Sequence, residues 1–405
     1  MEEKGYGLLE IKRLNRVRIK KVIYKYAPIT RIQIAEALGL TLPTITTNVA
    51  SMLSDGLLKE APLSDETPVN PQSGRKPSVL SFKADAAYAV GAELGPYCTT
   101  VCATDLLGKI VFQREYPIAP QEYDRMLPEL AGEIRDIASH LPQHKLLGAG
   151  VGLPGFIESE KGVIRSNSRQ SWNGKNLMED LRRELGLGVT IDNNVRMRAI
   201  GEELLVRKLR PDIFAYYYIS KGIACPLMIQ ENVIAGYTAG AGEIGHTLAQ
   251  PDGPICPTCG HAGCLDAVAS ETAILNFCRE ACKEGKAPVL RSLLSEEKAD
   301  ALDIKTVLRA QQMGDLSVCE IVEHAVEYLG ISLANLINLI SPGLVVVDGY
   351  LMKQECNRKK LRDVIAKHLY GLNEKEVGIE FLSFDLYRGA KGSAAKVLRK
   401  FLLEE

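Results

Sequence analysis

GEIGHTLAQPDGPICPTCGHAGC, residues 242–264, brings three cysteines together within nine residues, Cys256, Cys259 and Cys264, with His246 ten residues ahead of the first. Three thiolates and one imidazole make a closed tetrahedral set for a structural Zn²⁺, and the glycines among them let the backbone fold tightly around the ion. Four protein ligands leave no open coordination position, so a catalytic zinc is not expected. His261 is an alternative fourth ligand, and spacing does not choose between it and His246. The other cysteines (Cys98, Cys102, Cys225, Cys278, Cys282, Cys319, Cys356) are scattered and read as small buried apolar residues, not as a disulfide set.

The chain around this loop has 405 residues, too many for one ordinary core, so two or three domains are expected. Apolar residues are 46% and charged residues 24%, a balance that excludes disordered and fibrous classes. The formal charge of −1 hides an asymmetry: residues 1–80 hold 12 Lys and Arg against 8 Asp and Glu. No apolar run reaches the length of a membrane span and the N-terminus, MEEKGYGLLE, does not read as a signal peptide, so a cytoplasmic protein without membrane contact is expected.

Residues 8–60 read as three short helices. The second opens with a capping box, Thr30 and Gln33, runs from Arg31 to Leu38 and stops at Gly39. The third runs from about Pro43 to Leu53 behind a capping hydroxyl at Thr41; Ile45, Val49, Met52 and Leu53 face inward, and Thr44, Thr46, Thr47 and Asn48 face outward. This is a helix-turn-helix pattern, and Leu57–Glu60 with Ser78–Phe82 pair as a two-stranded wing. The third helix would enter the major groove with its Thr and Asn side chains on base edges, while Arg31, Arg75 and Lys76 would meet phosphate or the minor groove. Residues 1–62 are therefore expected to be a winged helix-turn-helix DNA-binding domain, with 63–84 as wing tip and linker containing GRKP.

From about residue 86 strand and helix signals alternate: AYAVGAEL, KIVFQREY, LLGAGVGLPG, VTIDN, FAYYYIS and LVVVDG, with helical stretches between. Alternation of this kind predicts an α/β architecture with a mixed or parallel sheet. A weak echo between Val90–Gly108 and Tyr217–Gly236 fits a duplicated, two-lobed fold.

GLPG at 152–155, Trp172 with Leu177, IDNNVRMRAIGE at 191–202, GEIGH at 242–246, the cysteine cluster and SPGLVVVDG at 341–349 together resemble the ROK family of repressors, open reading frames and sugar kinases. The helix-turn-helix and the GRKP linker resemble its repressor branch. The resemblance implies a two-lobed sugar-kinase-like domain of the actin-like ATPase, ribonuclease-H-like class over 85–405. Its lobes would divide near 200–215, with the C-terminal helix returning to the first lobe. It also implies sugar contacts at Asn193, Asn194, Glu243, His246 and Asp266, the last standing where the family usually has glutamate.

The departures concern catalysis. Family kinases carry an aspartate as general base where this chain has Asn194, and an amide cannot accept that proton. Their first phosphate loop continues from an acidic residue into Gly-Gly-Thr; here it reads Glu93-Leu94-Gly95-Pro96-Tyr97. Their glycine-rich second loop reads Ser220-Lys221-Gly222-Ile223-Ala224-Cys225-Pro226, and a nucleotide-side Gly-Gly is Asp348-Gly349. The expectation is a non-enzymatic, sugar-responsive regulator, a repressor of carbohydrate genes, with operator DNA, a sugar or sugar phosphate and a second copy of itself (homodimer or dimer of dimers) as partners. Lys221, Arg196 and Arg198 are basic residues outside the family pattern; they read as packing or surface charge, with an anionic effector as the sharper alternative. The competing reading is an active ATP-dependent sugar kinase with a DNA-binding appendage.

Overall fold

The computed structural model describes residues 8–62, 78–206, 208, 210–297, 302–372 and 376–405. The chain folds as two compact units, Met1–Arg207 with Tyr387–Glu405, and Lys208–Leu386.

The first unit opens with α1 (Leu8–Tyr26), at nineteen residues longer than the short helix expected. A two-residue strand, β1 (Ile29–Thr30), leads into α2 (Arg31–Leu38). The Thr30 hydroxyl accepts the Gln33 N–H while the Gln33 side chain accepts that of Thr30, and Gly39 closes the helix in the left-handed region. In α3 (Leu42–Ser54) the buried residues Ile45, Val49 and Met52 lie one helical turn apart. The Thr41 hydroxyl does not cap this helix as expected; it pairs with the Thr44 hydroxyl at 2.9 Å. β2 (Leu58–Pro62) and β3 (Ser78–Phe82) form an antiparallel ribbon, and β1 joins β3 to make three strands where two were expected. Gly74–Pro77, with Arg75 and Lys76, lies outside the described residues.

β4 (Tyr88–Leu94), β5 (Thr99–Asp105) and β6 (Ile110–Tyr116) run antiparallel beside parallel β7 (Leu146–Leu153) and β10 (Val189–Asn193), in the order β10-β7-β4-β5-β6. β8 (Phe156–Glu158) and β9 (Val163–Ser166) form a separate hairpin. Strand alternation sends Val90, Ala92 and Leu94 into a core with α4 (Tyr123–Ala138) and α5 (Leu177–Leu185), leaving Ala89, Gly91 and Glu93 to the opposite face. β10 runs directly into α6 (Asn194–Leu205).

The second unit holds β11 (Ile213–Ile219), β12 (Ile223–Ala224), β13 (Leu227–Ile229) and β14 (Asn232–Val233), followed by α7 (Leu265–Ala269), α8 (Glu271–Lys283), α9 (Pro288–Glu297), α10 (Ile304–Gln312) and α11 (Leu316–Ile340). β15 (Leu344–Gly349), α12 (Glu355–His368) and β16 (Gly378–Phe381) complete it, with β11, β15 and β16 parallel. Ala215, Tyr217 and Ile219 alternate inward against Leu329 and Leu333 of α11.

The chain then returns to the first unit as α13 (Arg388–Leu398). This helix lies so close on the sheet that a Cβ at Gly91 would stand 1.9 Å from the Ala390 carbonyl oxygen, and one at Gly150 would stand 2.2 Å from that of Ser393. Its other side shares a core with α1: Ala394, Val397, Leu398, Leu402 and Leu403 cluster with Ile19, Ile23, Leu80 and Phe82. Polar contacts fasten the seam, among them Tyr24 Oη to the Leu106 carbonyl at 2.9 Å, the buried Lys20 ammonium to the Leu402 carbonyl and Lys21 to Glu404 at 4.0 Å. Burial lowers the Lys20 amine to about 8. Among the scattered cysteines, Cys102, Cys225 and Cys278 are buried as expected, but Cys98, Cys282 and Cys319 are only half-buried and Cys356 is exposed.

Candidate functional site

Each unit contributes its own set of site residues. In the first, the end of β10 and the start of α6 present Asn193 and Asn194. Asn193 is the N-cap of α6: its Oδ1 accepts the Val195 and Arg196 N–H groups at 2.9 and 3.3 Å, and its Nδ2 donates to the Gly155 carbonyl at 3.0 Å. Asn194 is buried, and its Nδ2 faces Glu93 Oε1 at 3.4 Å. One turn further on, Arg198 grips Glu93 with two parallel hydrogen bonds, Nε to Oε1 at 2.9 Å and Nη2 to Oε2 at 2.7 Å. The pair is buried, so it acts as a rigid strut and not as a screened surface contact. Arg196 is engaged as well: its Nη1 stands 3.3 Å from Asp192 Oδ1, and the Lys396 ammonium takes Asp192 Oδ2. Both guanidiniums are thus paired with carboxylates of their own unit.

In the second unit, His246, Cys256, Cys259 and Cys264 offer ligand atoms that all lie within 4.8 Å of one another. His246 Nδ1 is 3.8 Å from Cys256 Sγ, and the sulfurs of Cys259 and Cys264 are 3.4 Å apart. Zn–S bonds of about 2.3 Å in a tetrahedron separate sulfurs by roughly 3.8 Å, so the donor set and its spacing fit a structural Zn²⁺. His261 supports the set from outside the four: its carbonyl accepts the Cys256 N–H at 2.8 Å, and hydrogen bonding from His261 pulls the Cys259 thiol down to about 6. The loop closes through Gly263 at φ +75°, where a Cβ would come within 1.7 Å of the Gln250 carbonyl oxygen.

Glu243 precedes the short turn Ile244–His246. Asp266, two residues beyond the last cysteine, is half-buried and accepts the Ile223 N–H at 2.7 Å; desolvation raises its carboxyl. Its carboxylate thus reaches the segment that would be a phosphate loop. Within that segment Ser220 N–H donates to the Gly222 carbonyl at 3.0 Å, Cys225 N–H donates to that of Gly242 at 2.7 Å, and Pro226 has no N–H to give. On the neighbouring strand Asp348 accepts the Tyr216 hydroxyl at 2.7 Å.

Glu271, which nothing in the sequence singled out, packs beneath this segment, its N–H donating to the Ser220 carbonyl at 2.9 Å. Burial, reinforced by Asp303, pushes its carboxyl up to about 8. The folded chain then holds a proton that the unfolded chain releases near 4.5. The resulting stability is complete below pH 4.5 and is lost as pH rises toward 8, on the order of a few kcal/mol. Glu271→Gln is expected to flatten that slope and to stabilise the protein at pH 8 but not at pH 4.5. Urea unfolding of both proteins at the two pH values measures it, and parallel slopes would refute it.

In the N-terminal region Thr46 and Thr47 are exposed and Thr44 and Asn48 half-exposed on α3. Thr47 and Asn48 donate to carbonyls one turn back, those of Pro43 (3.0 Å) and Thr44 (2.8 Å). Arg31 is held by Glu60 at 2.6 and 3.1 Å and by Ser78 at 3.3 Å, bracing α2 against the ribbon. Arg16 of α1 likewise pairs with Asp55 at 2.8 Å.

A fold of this kind, with sugar-kinase-like lobes and a closed Cys₃His loop, defines a family, and the sequence profile of the ROK family matches residues 89–400. The chain belongs to the ROK family. The xylose repressor of Caldicellulosiruptor bescii is 27% identical over 361 residues, covering 88% of both chains. The crystal structure of a ROK family transcriptional regulator, a homologue of the E. coli MLC protein, superposes with a TM-score of 0.79 at 22% identity over 97% of each chain. A ROK glucokinase from Streptomyces griseus, solved with glucose and AMPPNP, superposes with a TM-score of 0.66 at 20% identity, covering 76% of this chain and 98% of its own. At these identities both structures speak to the fold alone.

Proposed function

We propose that this protein is a sugar-responsive DNA-binding transcriptional regulator, a repressor, built on a sugar-kinase-like fold that no longer transfers phosphate. The observation that carries the reading is Asn194: the position of the family's catalytic base holds an amide, hydrogen-bonded to a carboxylate that Arg198 already occupies. The loop Ser220–Pro226 supports it, because N–H groups that would cradle phosphate are given to internal carbonyls and to Asp266.

Helices α1 to α3 with the β2–β3 ribbon are read as a winged helix-turn-helix over residues 1–62, completed by the strand in the 63–84 segment. α3 is the recognition helix, with Thr44, Thr46, Thr47 and Asn48 toward the bases and Arg75 and Lys76 on phosphate or in the minor groove. Arg31 joins that surface only by exchanging Glu60 for a phosphate. A sugar is read as held through Asn193, Asn194, Glu243, His246 and Asp266, whose amides, carboxylates and imidazole suit vicinal hydroxyls. Structural Zn²⁺ on His246, Cys256, Cys259 and Cys264 would fix the loop carrying His246 and Asp266. The regulator would act in the cytoplasm as a homodimer or dimer of dimers, two recognition helices matching a pseudo-palindromic operator. The effector works only through unequal affinity for the DNA-competent and DNA-incompetent states.

Selection of bound fragments from the source genome by the purified protein, at near-physiological salt, tests this. Recovery of a pseudo-palindrome beside carbohydrate genes, released by one of the sugars, supports the reading; no recovery at low salt from folded protein refutes it. ATP turnover on a hexose panel above background would instead favour the kinase. On a recovered operator, Arg75→Ala is expected to weaken binding at all sequences and to reduce the log–log salt slope by about 1. An unchanged slope would put the linker outside the interface.

A further inference from the structure

Asn194 is more than nine-tenths buried, and among the described residues its side-chain amide makes a single hydrogen bond, to Glu93. An amide has two chemically opposite ends, a donor NH₂ and an acceptor oxygen, so its orientation decides which ligand group it can meet. That orientation follows from Glu93. The Glu93 carboxylate is chelated by Arg198 at 2.9 and 2.7 Å, and it sits at the N-terminus of α13, where a Cβ on Gly389 would fall 2.0 Å from it. A carboxylate whose two oxygens are both taken by a guanidinium fork presents acceptors, not donors, to its neighbours. Turning the Asn194 oxygen toward it would set two acceptors 3.4 Å apart in a buried corner.

We propose that Arg198 is a positioning residue for effector recognition: through Glu93 it fixes the Asn194 amide with its NH₂ inward and its Oδ1 outward, so that the ligand group met there must be a donor, a sugar hydroxyl. The inference rests on the sugar reading above and deepens it. Arg198 never touches the ligand. It also gives the corner a permanent internal cation, so the Glu93 carboxylate is neutralised with no metal or nucleotide present.

The test uses the full-length chain and two variants, Glu93→Gln and Glu93→Gln with Arg198→Met, the second removing both charges so that no buried ion is stranded. In ligand-free protein with ¹⁵N-labelled asparagine side chains, the Asn194 NH₂ signal is assigned by its loss in Asn194→Ala. It is expected to exchange with water at least about tenfold faster in both variants than in the parent, having lost its carboxylate acceptor. Equal exchange overturns the proposal. D-xylose, D-glucose and N-acetyl-D-glucosamine are then titrated, with the monodeoxyfluoro derivatives of whichever binds, fluorine being an acceptor that cannot donate. The parent protein is expected to reject one derivative by about tenfold or more, and the variants to lose that discrimination because their amide turns freely. Variants that weaken every analogue alike reveal a merely structural role and overturn the proposal. If no sugar binds the parent protein, the sugar reading fails and the hydroxyl assignment with it; slow exchange would then uphold only the amide's orientation.

Discussion

Cys264→Ser is expected to release the metal from the 246–264 loop and to lower the melting temperature more than any other single change considered for this chain. Structural Zn²⁺ contributes about 10–16 kcal/mol of apparent binding free energy in small zinc modules, and most of that is folding energy, because the ligand set does not exist in the unfolded chain. Here the ligands span His246 to Cys264, and the segment between them has little other support. Its described strand pairing is limited to isolated bridges, Leu248 with Cys264 and Ile255 with Ala262, joined by a few turn hydrogen bonds, while Leu248 and Ile255 themselves are largely exposed. Serine keeps the size of the side chain but is a poor zinc ligand at neutral pH. The measurements are zinc content per chain and thermal unfolding with and without a chelator. The parent protein should carry one zinc and lose stability on chelation; the variant should carry none and be indifferent to chelator. A parent without zinc that melts identically in chelator would remove the metal from the account of this loop. Because Asp266 follows the loop and pins Ile223, the variant should also lose any sugar response while keeping the secondary structure of the first unit.

The second large effect is expected at Asp192. This carboxylate is 2% exposed and receives Arg196 on one oxygen and Lys396 on the other, and its Oδ1 also accepts the Asn193 N–H at 2.8 Å. Asp192→Asn preserves shape and removes the charge that neutralises the Lys396 ammonium, leaving it the Ser159 hydroxyl. Breaking a buried ion pair costs about 3–5 kcal/mol, and here both the buried Arg196 and the partly buried Lys396 lose their shared counter-charge. Urea unfolding should show a lower midpoint at unchanged slope. Adding Lys396→Met to Asp192→Asn should recover part of the loss, because one of the two cations that shared the carboxylate is then gone; a double variant no better than the single one would show that the carboxylate acts by some other route.

These two sites differ in how far they were readable from the chain. The metal loop was nearly complete in the sequence: cysteines this close together among glycines have few other uses, and only the choice between His246 and His261 stayed open. The structure brings His246 Nδ1 to the sulfurs and gives His261 the role of a hydrogen-bond partner. The first-unit corner was readable only as a list. Asn194 stood out as an amide where a base was expected, and Arg196 and Arg198 as basic residues without a use. Glu93 lies 101 positions before Asn194 and Asp192 lies 204 before Lys396, so neither pairing leaves a local pattern. Glu271 left no signal either, because an acidic residue in the first turn of a helix is ordinary on a solvated face and unusual only once buried.

Local chemistry had fixed consequences in this chain wherever the physics is local. The capping box at Thr30 and Gln33, the stop at Gly39, the inner stripe Ile45, Val49, Met52, the strands from AYAVGAEL to LVVVDG and the thiolate cluster all follow from near neighbours, because hydrogen bonds of a turn and helical or strand periodicity act over a few residues. The family resemblance already implied that a C-terminal helix returns to the first lobe; tertiary structure alone decided the rest: that α13 packs onto glycines of β4 and β7, that α1 shares its core, that Arg31 braces the ribbon, and that two buried carboxylates are claimed by cations far away in sequence. Burial and charge pairing are properties of positions in space, and the order of residues does not carry them until the chain has folded.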